Sequence, residues 1–182
     1  MLSTTRNGAV AQAAPSLEAF SEKYSKYFPR VFAYIYARVG NLHRTEDLVS
    51  EVFERAYTKA ESLRSEAAFS TWLFTIARNA IISHGRKYNR ETLVDPEVMQ
   101  EIAPHSASVE SQVLQQEEMQ DIARLVRQFP QREQDIISLK FDAELPNQQI
   151  AEIMGLSEPN VRVIIFRTLR KLREMLVADA AR

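Results

Sequence analysis

The residues best suited to chemistry in this chain are cationic. From Pro159 to Arg173 the sequence holds Arg162, Arg167, Arg170, Lys171 and Arg173 with no acid between them. On a helical wheel Arg162, Val163, Phe166, Arg167, Arg170 and Arg173 share one outward face. A guanidinium presents a fixed fork of donors that pairs bidentately with phosphate or with a guanine edge. Four of them on one side of a helix therefore fit an element lying in the major groove of DNA. Asn160 falls near the start of the same helix, where backbone amides favour phosphate, and an outward Val163 can touch a thymine methyl. Other chemistries have no such support. The chain has no Cys, which removes disulfides, thiolate zinc sites and cysteine nucleophiles together. His43, His84 and His105 are far apart, and none has a second His at metal-ligand spacing. No Ser/His/Asp grouping, P-loop or Gly-rich phosphate loop occurs, so neither an enzyme nor a cofactor or metal is expected.

Positioning such a face requires helices, and the composition favours them. The 182 residues include 4 Gly and 7 Pro, few for an all-β protein with many tight turns. The formal net charge of -1, from 23 Lys plus Arg and 24 Asp plus Glu, conceals a segregated pattern. Between Glu91 and Ala123 there is no Lys or Arg, while Arg86, Lys87 and Arg90 stand just before that stretch. Taken singly, each run also describes an ordinary solvated helix face. No segment approaches the ~20 apolar residues of a membrane span. Met1 to Pro15 lack the apolar core of a signal peptide. A cytoplasmic protein without membrane insertion is the expectation.

The apolar periodicity divides the chain. Residues 1–15 read as a disordered tail. Residues 16–92 read as one small helical domain: Leu17 to Val39, in two helices or one kinked at Pro29; a helix capped by Thr45 with Leu48, Val49, Val52, Phe53, Ala56 and Tyr57 as its stripe; and a helix from Ala68 to His84 that Gly85 ends. Residues 93–111 form an acidic, flexible linker. Residues 112–182 form a second helical domain, with a helix ending at Pro130, another from Arg132 to Phe141, and a closing pair. In that pair Gln148 to Met154 is followed by Gly155-Leu156-Ser157 and a long helix from Glu158, the spacing of a helix-turn-helix. Gly155 supplies the positive φ of the turn, and Ile150, Ala151 and Ile153 can meet Val161, Ile165 and Leu169. The fold class is thus all-α: two small helical domains, the second ending in a helix-turn-helix.

Three segments carry a family resemblance: TEDLVSEVF from Thr45 to Phe53, FSTWLFTIARN from Phe69 to Asn79, and LPNQQIAEIMGLSEPNVRVIIFRTLRKLR from Leu145 to Arg173. In this order they resemble the extracytoplasmic-function group of bacterial RNA polymerase sigma factors, over roughly residues 17 to 176. The resemblance implies a region 2 domain, which binds core polymerase and melts the -10 element, and a winged-helix-like region 4, which reads the -35 element. It implies that Glu46, Asp47, Leu48, Val49, Glu51 and Phe53 meet the clamp helices of the polymerase's largest subunit. The second domain would rest on the flap. Ser62, Leu63 and Asn79 would line a pocket for a flipped base, with Arg64, Arg78, Arg86 and Lys87 on the backbone. Asn160, Arg162, Val163, Phe166, Arg167 and Arg170 would face the -35 element. Many members are held by an anti-sigma factor, and nothing sizeable after Leu176 suggests a built-in regulator. The chain departs from the family pattern at Ser50, where Gln is common, at Leu63, often aromatic, at Val163, usually small and polar, and at Ile164, often basic. The alternatives are a free-standing helix-turn-helix regulator and an adaptor without a DNA role. The acidic Glu46 to Glu54 face and the melting segment are features that neither needs.

Overall fold

Pro29 stands inside a single helix rather than between two. The computed structural model describes residues 17–59, 65–91, 119 and 121–180, and its first helix, α1, runs unbroken over Leu17–Val39. Proline removes one backbone donor there, but Pro29 and Ser25, whose carbonyl loses that donor, are both exposed, so water can take its place. On the opposite side Tyr27, Val31, Tyr34 and Ile35 are buried, and burial of that face outweighs the lost bond.

Gly40, at φ 68°, closes α1 with its N–H on the Tyr36 carbonyl at 2.8 Å. The cap of α2 (Leu42–Lys59) is Asn41, whose Oδ1 accepts from the Arg44 N–H at 3.0 Å. Thr45, expected as the cap, lies inside the helix and is buried; its hydroxyl donates to the Asn41 carbonyl at 2.8 Å. Helix α3 spans Glu66–Glu91, opened by Ser65, whose Oγ accepts from the Ala68 N–H at 3.1 Å. It continues through Gly85, which does not have the positive φ of a helix stop. The cost of glycine in a helix interior is about 1 kcal/mol, too little to end a helix held by the rows on either side.

The second half comprises α4 (described over 121–126), α5 (Gln131–Phe141), α6 (Asn147–Met154) and α7 (Glu158–Ala180). Among the described residues there is no strand. Between α6 and α7 Gly155 adopts φ 65°, ψ 39°, and the Leu156 N–H reaches back to the Ala151 carbonyl at 2.9 Å. That is the hydrogen-bond pattern of a Schellman cap. A Cβ built on Gly155 would meet nothing within 4 Å, so the strain of a substitution is conformational only. Gly155→Ala is expected to lower stability by about 1–2 kcal/mol, read as a shift of the urea midpoint without a change in slope.

The tertiary arrangement departs from two self-contained cores. Tyr27, Val31, Ile35, Val52, Phe69, Leu73 and Phe74 from the first half join Ile136, Leu139, Leu145, Ile150 and Val161 from the second in one buried cluster. Leu125, Phe129 and Leu172 form a satellite. Leu169, expected inward, is 38% exposed, and its place is taken by Thr168 and Leu172. The inward row of α7 is therefore 161, 165, 168, 172, as a period of 3.6 demands. The expected tail, 1–15, and linker, 93–111, lie outside the described residues.

Asp142, at the end of α5, accepts from the Ser138 hydroxyl at 2.6 Å. Burial raises its pKa above the ordinary carboxylate value, the Ser138 bond opposing this in part. A carboxyl whose folded pKa is raised binds its proton more tightly in the native state. Its contribution is therefore fully present below the unfolded pKa of 3.8 and lost as pH rises through the folded value. Asp142→Asn, which keeps an acceptor for Ser138, should gain stability relative to the parent above that window and lose the advantage as pH falls through it. Urea titrations at pH 7 and pH 4 measure the difference.

Candidate nucleic-acid interface

The turn at Gly155 sets the direction of α7, and the packing of that helix sets its rotation. Ile150, Ala151 and Ile153 of α6 are buried with Val161, while Thr168 and Leu172 turn inward further along. Asn160, Arg162, Val163, Phe166, Arg167, Arg170 and Arg173 are consequently all exposed, on the face read from the sequence. Phe166 is 66% and Val163 44% exposed, large apolar groups offered to water on that face. Arg162 pairs with Glu158 at 2.9 Å and Arg170 with Glu174 at 3.8 Å, both one helical turn away. Exposed pairs of this kind are worth about 0–1 kcal/mol, so an incoming phosphate or base edge displaces them at little cost.

On α2, Glu46, Asp47, Ser50 and Glu54 are exposed and Glu51 half-buried. The face is not purely acidic: Arg55 pairs with Glu51 at 2.5 Å, and His43 approaches Glu46 at 3.7 Å. Leu48, Val49 and Phe53, expected with the acidic residues at the polymerase, are all buried. They fix the helix against α1 and α3, and the acidic residues share its outer surface with His43, Ser50 and Arg55. Beside them lies a groove of about 170 Å³ lined by Tyr24, Phe28, Phe32, Glu46, Val49 and Ser50. The three aromatics recur every fourth residue along α1.

On α3, Asn79 and Arg86 are exposed. Lys87 belongs to the helix, but its side chain lies outside the described residues, as do Ser62, Leu63 and Arg64 altogether. Arg78 is turned away from the surface where DNA contact was expected: its Nε meets Asp135 of α5 at 3.2 Å. Phe69 is fully buried and Trp72 half-buried, which assigns both to packing. The Lys23 ammonium sits 4.3 Å from the Phe69 ring centre. Sequence periodicity missed Phe74, which is fully buried and edge-on to Tyr34 of α1 at 5.9 Å. It also missed Asp135, whose partners Arg38 and Arg78 lie in the first half of the chain. Among the described residues no three His, Asp or Glu side chains are grouped to hold a metal ion. No helix there is long and apolar enough to cross a membrane.

Residues 24–91 match the Sigma-70 region 2 family model, and residues 125–174 match Sigma-70, region 4. The chain is 31% identical over 168 residues to the ECF RNA polymerase sigma factor BldN of Streptomyces coelicolor, covering 92% of this chain and 64% of that protein. It is 30% identical over 167 residues to the ECF RNA polymerase sigma-E factor of Haemophilus influenzae, covering 87% and 86%. A solved structure of the sigma factor RpoE in complex with the anti-sigma factor NepR, from Bartonella quintana, shares the fold. Its TM-score is 0.71 at 22% identity over 90% of this chain and 99% of the other.

Proposed function

Because the chain belongs to the extracytoplasmic-function group of RNA polymerase sigma factors, we propose that its exposed faces divide the work of promoter-specific initiation among themselves. Glu46, Asp47 and Glu51 dock on basic residues of the polymerase clamp helices, with the groove at Tyr24, Phe28 and Phe32 receiving apolar side chains of the same partner. Leu48, Val49 and Phe53 act beneath them as positioning residues. Asn79, with Ser62 and Leu63, holds one unstacked base of the -10 element; an amide both donates to and accepts from a base edge. Arg64, Arg86 and Lys87 contact the backbone, joined by Arg78 once it leaves Asp135. Arg162, Val163, Phe166, Arg167 and Arg170 face the -35 element, with Asn160 at a phosphate. The second domain rests on the flap.

The single observation that carries this division is the rotation of α7. Its row at 161, 165, 168 and 172 is held inward, and the opposite row offers guanidinium groups and two apolar side chains to a groove. The reading assigns no catalysis to the chain, since polymerisation belongs to the core enzyme, and it places the chain in the cytoplasm with the DNA. The likeness to a sigma factor solved with an anti-sigma factor supports a regulatory partner of that class. A gel shift on promoter DNA tests the proposal: the chain should retard the fragment only with core polymerase present. Tight, specific retardation by the chain alone would instead indicate a free-standing regulator.

A further inference from the structure

The exposed face of α7 is bounded at each end by an acid. Glu158 opens the helix and Glu174 follows Arg173, with no acid between them. A carboxylate on a face that approaches DNA is repelled by the phosphates, so its presence there calls for a reason. The two acids are not equivalent. A recognition helix sets its N-terminal residues against base edges. Glu158 is in that first turn, whereas Glu174 follows sixteen residues later, about 24 Å further along the axis. Their bonds differ too. Glu158 Oε1 accepts a hydrogen bond from Arg162 Nη2 at 2.9 Å, while Arg170 Nε stays 3.8 Å from Glu174, a charge pair alone. Arg162 remains 70% exposed while bonded. The bond uses one of the five N–H groups of a guanidinium. Whichever hydrogen of Nη2 it takes, one two-donor edge is left intact, so the paired arginine can still meet a base bidentately.

We propose that Glu158 is a positioning residue that commits Arg162 to a guanine edge and away from phosphate. The inference rests on the function proposed above. An unpaired arginine takes phosphate or guanine with the same fork, and phosphates line both strands of every sequence. With Glu158 bonded to Nη2, a phosphate must displace the carboxylate or lie beside it, like charge against like. A guanine presents N7 and O6, two neutral acceptors. It meets the free edge and leaves the Glu158 bond in place. An exposed pair of this kind is weak enough to break, but only the wrong partner has to break it. The bond also restricts the rotamers of Arg162 before DNA arrives, so less side-chain freedom is lost on contact. Arg167 gives the contrast: it is exposed and has no ion pair among the described residues, which leaves its whole fork to phosphate. Asn160, two residues beyond Glu158, projects from the far flank of α7. The phosphate assigned to it therefore does not meet the Glu158 charge.

The test is a selection. Core polymerase carrying the full chain selects fragments from a pool randomised over the -35 element, and the bound sequences are counted. Arg162→Ala identifies the position which that residue reads, as the one whose guanine preference disappears. At that position Glu158→Ala should cut the guanine preference about 10-fold. It should also bind a promoter-free fragment several-fold more tightly, because a phosphate no longer meets the carboxylate. Glu174→Ala removes the same charge from the other end and should keep the guanine preference of the parent. A role confined to the negative charge at a helix start would lower the urea midpoint of Glu158→Ala and leave every base preference as it was. That result overturns the proposal, as does an equal loss of preference in Glu174→Ala. Should Glu158→Ala lose helicity, Glu158→Gln, of the same shape without the charge, decides in its place: a weakened guanine preference supports the proposal and an unchanged one refutes it. If Arg162→Ala alters no position, the functional reading of Arg162 fails and the inference falls with it. If Arg162→Ala removes a preference that the Glu158 variants keep, the functional reading stands and the inference alone is refuted.

Discussion

Replacing Arg162 and Arg170 together with alanine should reduce promoter-directed transcription by two to four orders of magnitude and leave polymerase binding intact. The two side chains lie two turns apart on the exposed face of α7, each paired with a carboxylate of its own helix. A bidentate base contact contributes roughly 1–3 kcal/mol of discrimination, so losing two removes about 2–6 kcal/mol. Neither residue packs against the core, so the urea midpoint should move by less than about 0.5 kcal/mol equivalent. The salt dependence identifies the kind of contact. If an arginine meets only phosphate, its loss reduces the salt slope by about one and weakens all sequences alike. If it reads a base, one promoter position loses its preference. Run-off assays on a base-substitution library, at two salt concentrations, measure both. Transcription unaffected by the double replacement would remove α7 as the -35 reader.

The second large effect belongs to α2. Glu46→Lys with Asp47→Lys should weaken association with core polymerase at least about 100-fold, because each change removes an attraction and sets a like charge against a basic partner. Both side chains are exposed, and among the described residues the contact given up is that between Glu46 and His43. Stability should therefore change little. Binding measured by fluorescence anisotropy should fall in the variant, and the loss should shrink as salt rises, since exposed charges are screened over about 10 Å at 0.1 M. Equal affinity in parent and variant would mean that the acidic surface is ordinary solvation.

These two faces were legible in the sequence because each lies on a single helix, where spacing alone determines which residues share a side. The row Arg162, Phe166, Arg170 and its opposite, Val161 to Leu172, follow from 3.6 residues per turn and from Gly155 at the turn. What periodicity could not show depends on contact between distant segments. Pro29 left two helices and one kinked helix both open, because local propensity omits the burial of Tyr27, Val31 and Tyr34 beneath it. Thr45 looked like a cap because Asn41, four residues earlier, is an equally good one, and only the buried position of Thr45 decides between them. Leu48, Val49 and Phe53 resembled surface contacts by family pattern, yet the packing of α1 and α3 covers them. Asp135 was invisible as a contact between the two halves, for nothing within α5 announces that Arg38 and Arg78 will arrive from ninety-seven and fifty-seven residues away. Local chemistry was readable where one helix carries it. Long-range pairing was not.

Run-off transcription with purified core polymerase, with and without the chain, tests the central claim most directly. Core enzyme alone should be silent on a linear promoter fragment, the parent chain should yield a transcript with one defined start, and the chain should co-migrate with the enzyme in gel filtration. A folded chain that elutes apart from the polymerase and yields no defined transcript from any fragment of its own genome would contradict it.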